Sequence, residues 1–214
     1  YRVLPAGGAL GAGVGPLLIG SEPPPANADF FEQSLQVQGH TIAIPGQHTT
    51  AHFLFSHAYP KAANKVFMRF DAIEAYVQRG EGLGVIIHEN RFTYQAKGLH
   101  AWADLGKLWE NQTSLPIPLG GIVAKRSLSK SLQQQINHQI KNSLAYAWQQ
   151  YPLLSPYVKN NAAEMAEQVM QQHIALYVND FSNDMGLQGK AAIMSLLKTL
   201  NPQQNFAETE VFMQ

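Results

Sequence analysis

The apolar run Leu83-Gly84-Val85-Ile86-Ile87, closing on His88-Glu89, constrains the fold more than any other feature of this chain. A run of this length without polar alternation is expected for a strand buried on both faces. Its neighbours supply the layers such a strand needs. Pro16 to Ile19, Thr41 to Pro45, Val66 to Phe70 and Leu119 to Ala124 read as further strands. Thr49 to His57 and Ala72 to Arg79 read as helices, the latter ending at Gly80. Ser21 to Asp29, with three consecutive prolines, reads as a loop. Strand and helix therefore alternate, which predicts an α/β layer architecture with parallel strands.

From residue 128 the pattern changes. Leu128, Leu132, Ile136 and Ile140 recur every four residues and mark one face of an amphipathic helix. Met165, Val169 and His173 begin a second helix, and Leu187 to Leu200 form a third, stopped by Pro202.

Composition narrows the function. Fifteen basic and fifteen acidic residues cancel in a chain of 214, so no electrostatic footprint for nucleic acid or an anionic membrane exists. No cysteine is present, which excludes disulfides, thiolate metal sites and cysteine nucleophiles. No apolar run approaches the ~20 residues that span a bilayer. The chain opens Tyr1-Arg2-Val3-Leu4 without an initiating Met or a signal h-region, the pattern of a mature soluble protein or of a fragment of something longer.

The candidate chemistry lies in two segments. Gly46-Gln47-His48-Thr49-Thr50-Ala51 reads as a strand end turning into a helix N-terminus. Thr49 and Thr50 are good N-cap residues, and capping alone explains them. The same unpaired amides and helix dipole also attract a carboxylate or phosphate. His88 reads either as a satisfied interior histidine or as a general base. Its place at a strand end favours the second, because open α/β sheets bind ligands beyond the carboxyl ends of their strands.

Other motifs are weaker. Gly11-Ala12-Gly13-Val14-Gly15 lacks dinucleotide-binding spacing and is followed by Pro16 and a strand, so a tight crossing between lobes is expected there. His48 and His52 stand four apart without a third ligand nearby, and His88-Glu89 is no zincin motif, so no metal is expected. No G-x-S-x-G elbow supports a serine triad.

The two segments, taken with Asn90-Arg91-Phe92-Thr93-Tyr94, resemble the 1,4-dihydroxy-6-naphthoate synthase family of the futalosine route to menaquinone. The likeness continues through Gly7-Gly8-Ala9-Leu10-Gly11 and Gly13-Val14-Gly15-Pro16, then Asp104-Leu105-Gly106 with Trp109-Glu110, Leu115 to Gly121, and Tyr177-Val178-Asn179-Asp180-Phe181-Ser182. It implies a type II periplasmic-binding-protein-like fold of two α/β lobes. The small lobe would run over 14–124, with 1–13 and 125–214 forming a large lobe. The family's opening strand and S-P-C-P-N-D-T-F turn have no counterpart, so that large lobe is expected to be incomplete at its N-terminus. A longer, proline-rich loop from Ser21 to Gln38 is a milder departure.

The activity implied is a lyase step converting cyclic de-hypoxanthine futalosine to 1,4-dihydroxy-6-naphthoate, in the cytoplasm and without cofactor. His88 falls on the family's base, and Thr49, Thr50 and Ala51 on its substrate-holding turn. Glu89 and Arg91 are candidates for orienting the imidazole or the substrate. The expected partners are a small-molecule substrate and, at most, a second copy in a homodimer. Two competing readings are a non-catalytic binding protein for a small carboxylate and an inactive truncated form of the enzyme.

Overall fold

A computed structural model describes residues 1–13, 15–27, 29–162 and 166–213. In chain order its elements are β1 (Arg2–Val3), β2 (Ala9–Gly11), β3 (Leu17–Gly20), α1 (Phe30–Gln38), β4 (Ile42–Ile44), α2 (Thr50–Ala58), β5 (Lys65–Phe67), α3 (Ile73–Gln78), β6 (Leu83–Ile86), α4 (Asn90–Thr93), β7 (His100–Asp104) and α5 (Leu105–Thr113). Then come β8 (Ile117–Gly120), β9 (Val123–Ala124), α6 (Lys130–Gln150), α7 (Pro156–Asn161), α8 (Glu167–Tyr177), α9 (Asp180–Asn183), α10 (Gly186–Leu200) and α11 (Glu208–Val211). Two compact units emerge, one of Gly15–Ser114 and one of Tyr1–Val14 with Leu115–Gln214.

The Gly15–Ser114 unit is built on one sheet of order β5-β4-β6-β3-β7. β4 pairs in parallel with both β5 and β6, while β3 runs antiparallel to β6 and β7. The sheet is therefore mixed, a correction to the all-parallel expectation. The crossover through α2 moves from β4 outward to β5, and the one through α3 moves back from β5 to β6. The right-handed rule for such crossovers places α2 and α3 on opposite faces of the sheet.

Burial follows that split. Leu17, Ile19, Ala43 and Ile86 pack with Ile73 and Val77 of α3 in one buried cluster. Strand alternation sends Leu18, Ile42, Ile44 and Val85 to the other face, and all four are fully buried. α3 lies so close on β6 that a Cβ at Gly84 would stand 2.5 Å from Ile73 Cγ2 and 2.6 Å from Val77 Cγ2. The glycine inside the strand is thus a packing requirement.

Four further expectations change. The strand expected to reach Phe70 ends at Phe67, and Phe70–Ala72 form a 3-10 turn leading into α3. The run expected to end on His88 is a strand only to Ile86. Leu119 to Ala124 is split between β8 and β9, which belong to different two-stranded sheets. The proline-rich stretch is a loop only to Asp29. There Asp29 caps α1 by accepting from Glu32 N at 2.9 Å, and Glu32 Oε2 accepts from Asp29 N in return.

In the other unit, β1 pairs with β9 and β2 with β8, both antiparallel. Val3 also bridges Phe212. The expected helices appear as α6, α8 and α10, and α8 carries Val169 and His173 while Met165 lies outside the described residues. The Asn179-to-Ser182 motif has a structural task here. Asn179 Nδ2 donates to Leu10 O at 2.8 Å and Ser182 Oγ donates to Gly8 O at 2.8 Å, so α9 is fastened to the glycine-rich β2 strand. No helix among the described residues is long and apolar enough to cross a membrane.

Candidate functional site

β4, β5, β6 and β7 all point their carboxyl ends to the same edge of the sheet, and β3 begins there. The edge therefore gathers Pro45–Thr50, Met68–Phe70, Ile87–Arg91, Gly15–Pro16 and Asp104. Sequence segments some forty residues apart meet because β4 and β6 are direct neighbours, with Ile42 opposite Leu83 and Ala43 opposite Gly84.

On the β4 side, Gly46 has a φ of 139°, open to glycine, and lets the chain turn sharply into α2. Thr49 is the N-cap. Its Oγ1 accepts from His52 N at 3.1 Å and donates to Gly46 O at 2.8 Å, so one hydroxyl closes both the helix end and the turn. Phe53 N bonds Thr49 O at 3.1 Å. That leaves the amides of Thr50 and Ala51, at the first two helical positions, without an intrahelical acceptor at the positive end of the dipole. Thr50 is half-buried and Ala51 is buried.

His52 pins the turn from within the helix. Its Nδ1 lies 2.7 Å from Gln47 O, which can only accept, so Nδ1 carries the proton. Nε2 is then an acceptor, and Lys65 Nζ stands 3.4 Å from it. Lys65 also donates to Ser56 Oγ at 2.8 Å, and burial lowers its pKa. With both ring nitrogens so engaged, the His48/His52 pair is not arranged as a metal site, and no group of three metal-binding side chains occurs among the described residues.

On the β6 side, His88 sits in the turn two residues past the strand, exposed, with a φ of 57°. That left-handed backbone is uncommon outside glycine, with histidine among the more tolerant residues. The imidazole meets the ring of Phe70 edge-on, with centroids 5.5 Å apart. Asn90, two residues on, is buried and begins α4.

Glu89 and Arg91 occupy different places. Glu89 stands half-buried at the start of α4, with helical backbone, and makes no capping bond. Arg91 reaches across the edge, donating to Gly15 O and lying 3.4 Å from Asp104 Oδ2. Asp104 meanwhile caps α5 through Oδ1, which accepts from Lys107 N at 3.0 Å. Arg91 thus ties the His88 turn to the point where the chain enters this unit and to a second helix start. Phe70, Asn90 and Asp104 are the residues of this edge that sequence reasoning did not assign.

The chain matches the menaquinone biosynthesis family over residues 1–201. This chain belongs to that family. Among its relatives, a protein of Streptomyces coelicolor named 1,4-dihydroxy-6-naphtoate synthase is 42% identical over 203 residues. A protein of the same name from Thermus thermophilus is 40% identical over 197 residues. Each alignment covers 92% of this chain and 68% of the relative, so the menaquinone biosynthesis protein described here spans about two thirds of their length.

Solved structures agree on the fold. A crystal structure of an Archaeoglobus fulgidus protein superposes with a TM-score of 0.83 at 28% identity, covering 95% of this chain and 73% of its own. The zinc-bound ligand-binding component of an ABC-type import system from Staphylococcus aureus superposes with a TM-score of 0.57 at 11% identity, covering 99% and 71%. The family member therefore has the α/β, periplasmic-binding-protein-like fold expected from its sequence.

Proposed function

We propose that this chain carries the lyase chemistry of its named relatives, converting cyclic de-hypoxanthine futalosine to 1,4-dihydroxy-6-naphthoate with His88 as general base. The observation that carries the reading is that His88 and the Thr49-Thr50-Ala51 helix start end adjacent parallel strands and meet on one sheet edge. The unit Gly15–Ser114 would be the small lobe, and its carboxyl edge the wall that faces substrate.

The chemistry suits the pieces. The product is a naphthoate, and its carboxylate is the kind of group that two unpaired amides at a helix start hold. An exposed imidazole on the neighbouring strand can then take a proton from the held substrate, the step that opens the way to carbon–carbon cleavage. Neither role calls on a metal or an organic cofactor. Thr49 works by shaping the turn and Arg91 by fixing the segment that bears His88.

Replacing His88 by Ala tests the reading. Product formation, followed by mass spectrometry, should drop by a factor on the order of 10² to 10⁴, the usual contribution of a positioned base. Turnover within a few-fold of the parent would remove His88 from the chemistry. Binding of substrate with no change in its mass, in the parent protein itself, would identify a binding protein instead.

A further inference from the structure

We propose that Glu74 and Asn90 are positioning residues that hold the His88 turn in its left-handed backbone, an inference that rests on His88 being the base. Glu74 lies on α3 and is almost completely buried. Its Oε2 accepts from Asn90 Nδ2 and from Lys97 Nζ, the latter at 2.6 Å. Its Oε1 is buried with no hydrogen-bond partner.

A buried carboxylate with one idle oxygen is a poor way to stabilise a helix face, since an apolar residue there would carry no desolvation cost. What this carboxylate supplies is a fixed acceptor beneath Asn90, with Lys97 balancing the charge. Phe70 and Glu74 are one helical turn apart in the chain. Phe70 touches the His88 ring while Glu74 holds the residue two beyond it, so one short segment grips the turn at both ends. β6 stops at Ile86 and α4 is a single turn whose Arg91 N reaches His88 O at 3.4 Å, and the buried carboxylate adds a side-chain anchor to that backbone bond. Without the side-chain tether, His88 would relax toward ordinary backbone and its imidazole would leave the edge shared with Thr50 and Ala51.

The experiment uses the whole chain with Asn90→Asp, Asn90→Ala and the swap Glu74→Gln/Asn90→Asp. Asn90→Asp sets carboxylate against carboxylate, and Asn90→Ala removes the donor without adding charge. Both should lower kcat by about 10- to 100-fold with KM little changed, the effect of misplacing a reacting group by a small distance. The swap restores a hydrogen bond of reversed polarity and should recover most of kcat. In parallel, NMR of the His88 amide and imidazole resonances should show both single variants displaced and the swap returned toward the parent.

Unmoved His88 resonances in folded Asn90→Ala, or a swap no better than Asn90→Asp, overturns the proposal. Should the parent chain turn over no futalosine derivative, the resonances alone decide. A shift in them then keeps the positioning role while the catalytic reading falls.

Discussion

The backbone of His88 allows the site to be probed by stability alone, through the pair His88→Gly and His88→Ala. At ordinary exposed positions Gly is less stable than Ala by roughly 0.5–1 kcal/mol, because the unfolded chain gains freedom. At a φ of 57° the balance changes, since an L-residue in the left-handed region costs about 1–2 kcal/mol that Gly does not bear. Both variants lose the same edge contact with Phe70, and His88 is exposed, so little else separates them. The left-handed term outweighs the entropic one, and His88→Gly should be the more stable of the two by about 0.5–1 kcal/mol. For a chain of this size that is roughly 1–4 °C in Tm. Urea titration of the two variants, followed by far-UV circular dichroism, measures the difference directly. Equal midpoints, or a higher midpoint for Ala, would refute the left-handed turn and with it the argument for its anchoring. Both variants should lower product formation by the same factor on the order of 10² to 10⁴, so the gain in stability in His88→Gly would bring no gain in turnover.

Two further outcomes are expected. Thr49→Ala removes the hydroxyl that both caps α2 and closes the Gly46 turn, so it should cost about 1 kcal/mol of stability and raise KM more than it lowers kcat; steady-state kinetics with an unchanged KM would argue against substrate contact at this helix start. Burial pushes the pKa of the Tyr59 hydroxyl, which donates to Gln33 Oε1 at 3.3 Å, up to about 12. Between about pH 10 and 12 the unfolded tyrosine ionises while the folded one keeps its proton, so stability is full below pH 10 and falls by on the order of 2–3 kcal/mol across that window. Tyr59→Phe should flatten that fall in denaturation midpoints measured from pH 9 to 12, and an unaltered slope would count against it.

How far the sequence could be read depended on how local each feature is. The start of α2 was legible because its determinants sit together: Gly46 for the turn, Thr49 for the cap, Thr50-Ala51 for the first helical turn. α1 was within reach for the same reason, since Asp29 and Glu32 spell out a capping box, but the prolines before it drew the whole stretch into a loop. Strand direction was not legible. Pro16 to Ile19 is apolar in either orientation, and only its pairing with both β6 and β7 makes it the antiparallel member of the sheet. The end of β6 was overread because Ile87 continues the apolar pattern, whereas the strand is released by the turn that follows.

The two halves of the site differ in the same way, which explains why one was easier to see. The helix start at Thr49 is self-sufficient: its hydroxyl, the Gly46 carbonyl and the His52 amide lie within a few residues of one another. His88, beyond the bond that its carbonyl accepts from Arg91 N at 3.4 Å, is braced from other segments of the fold. Its place is set by Asn90 on a buried carboxylate from α3, by Arg91 on Gly15 and Asp104, and by Phe70 against its ring. A histidine in left-handed backbone invites relaxation, so the surroundings must hold it, and they do so from three other segments of the fold. The Thr49 helix start is thus a property of a short peptide in helical form, while the placement of His88 exists only once the sheet is assembled. The motif marks His88 as a candidate in the sequence, but the residues that fix its place, Phe70, Glu74 and Asp104, come together only in the tertiary structure.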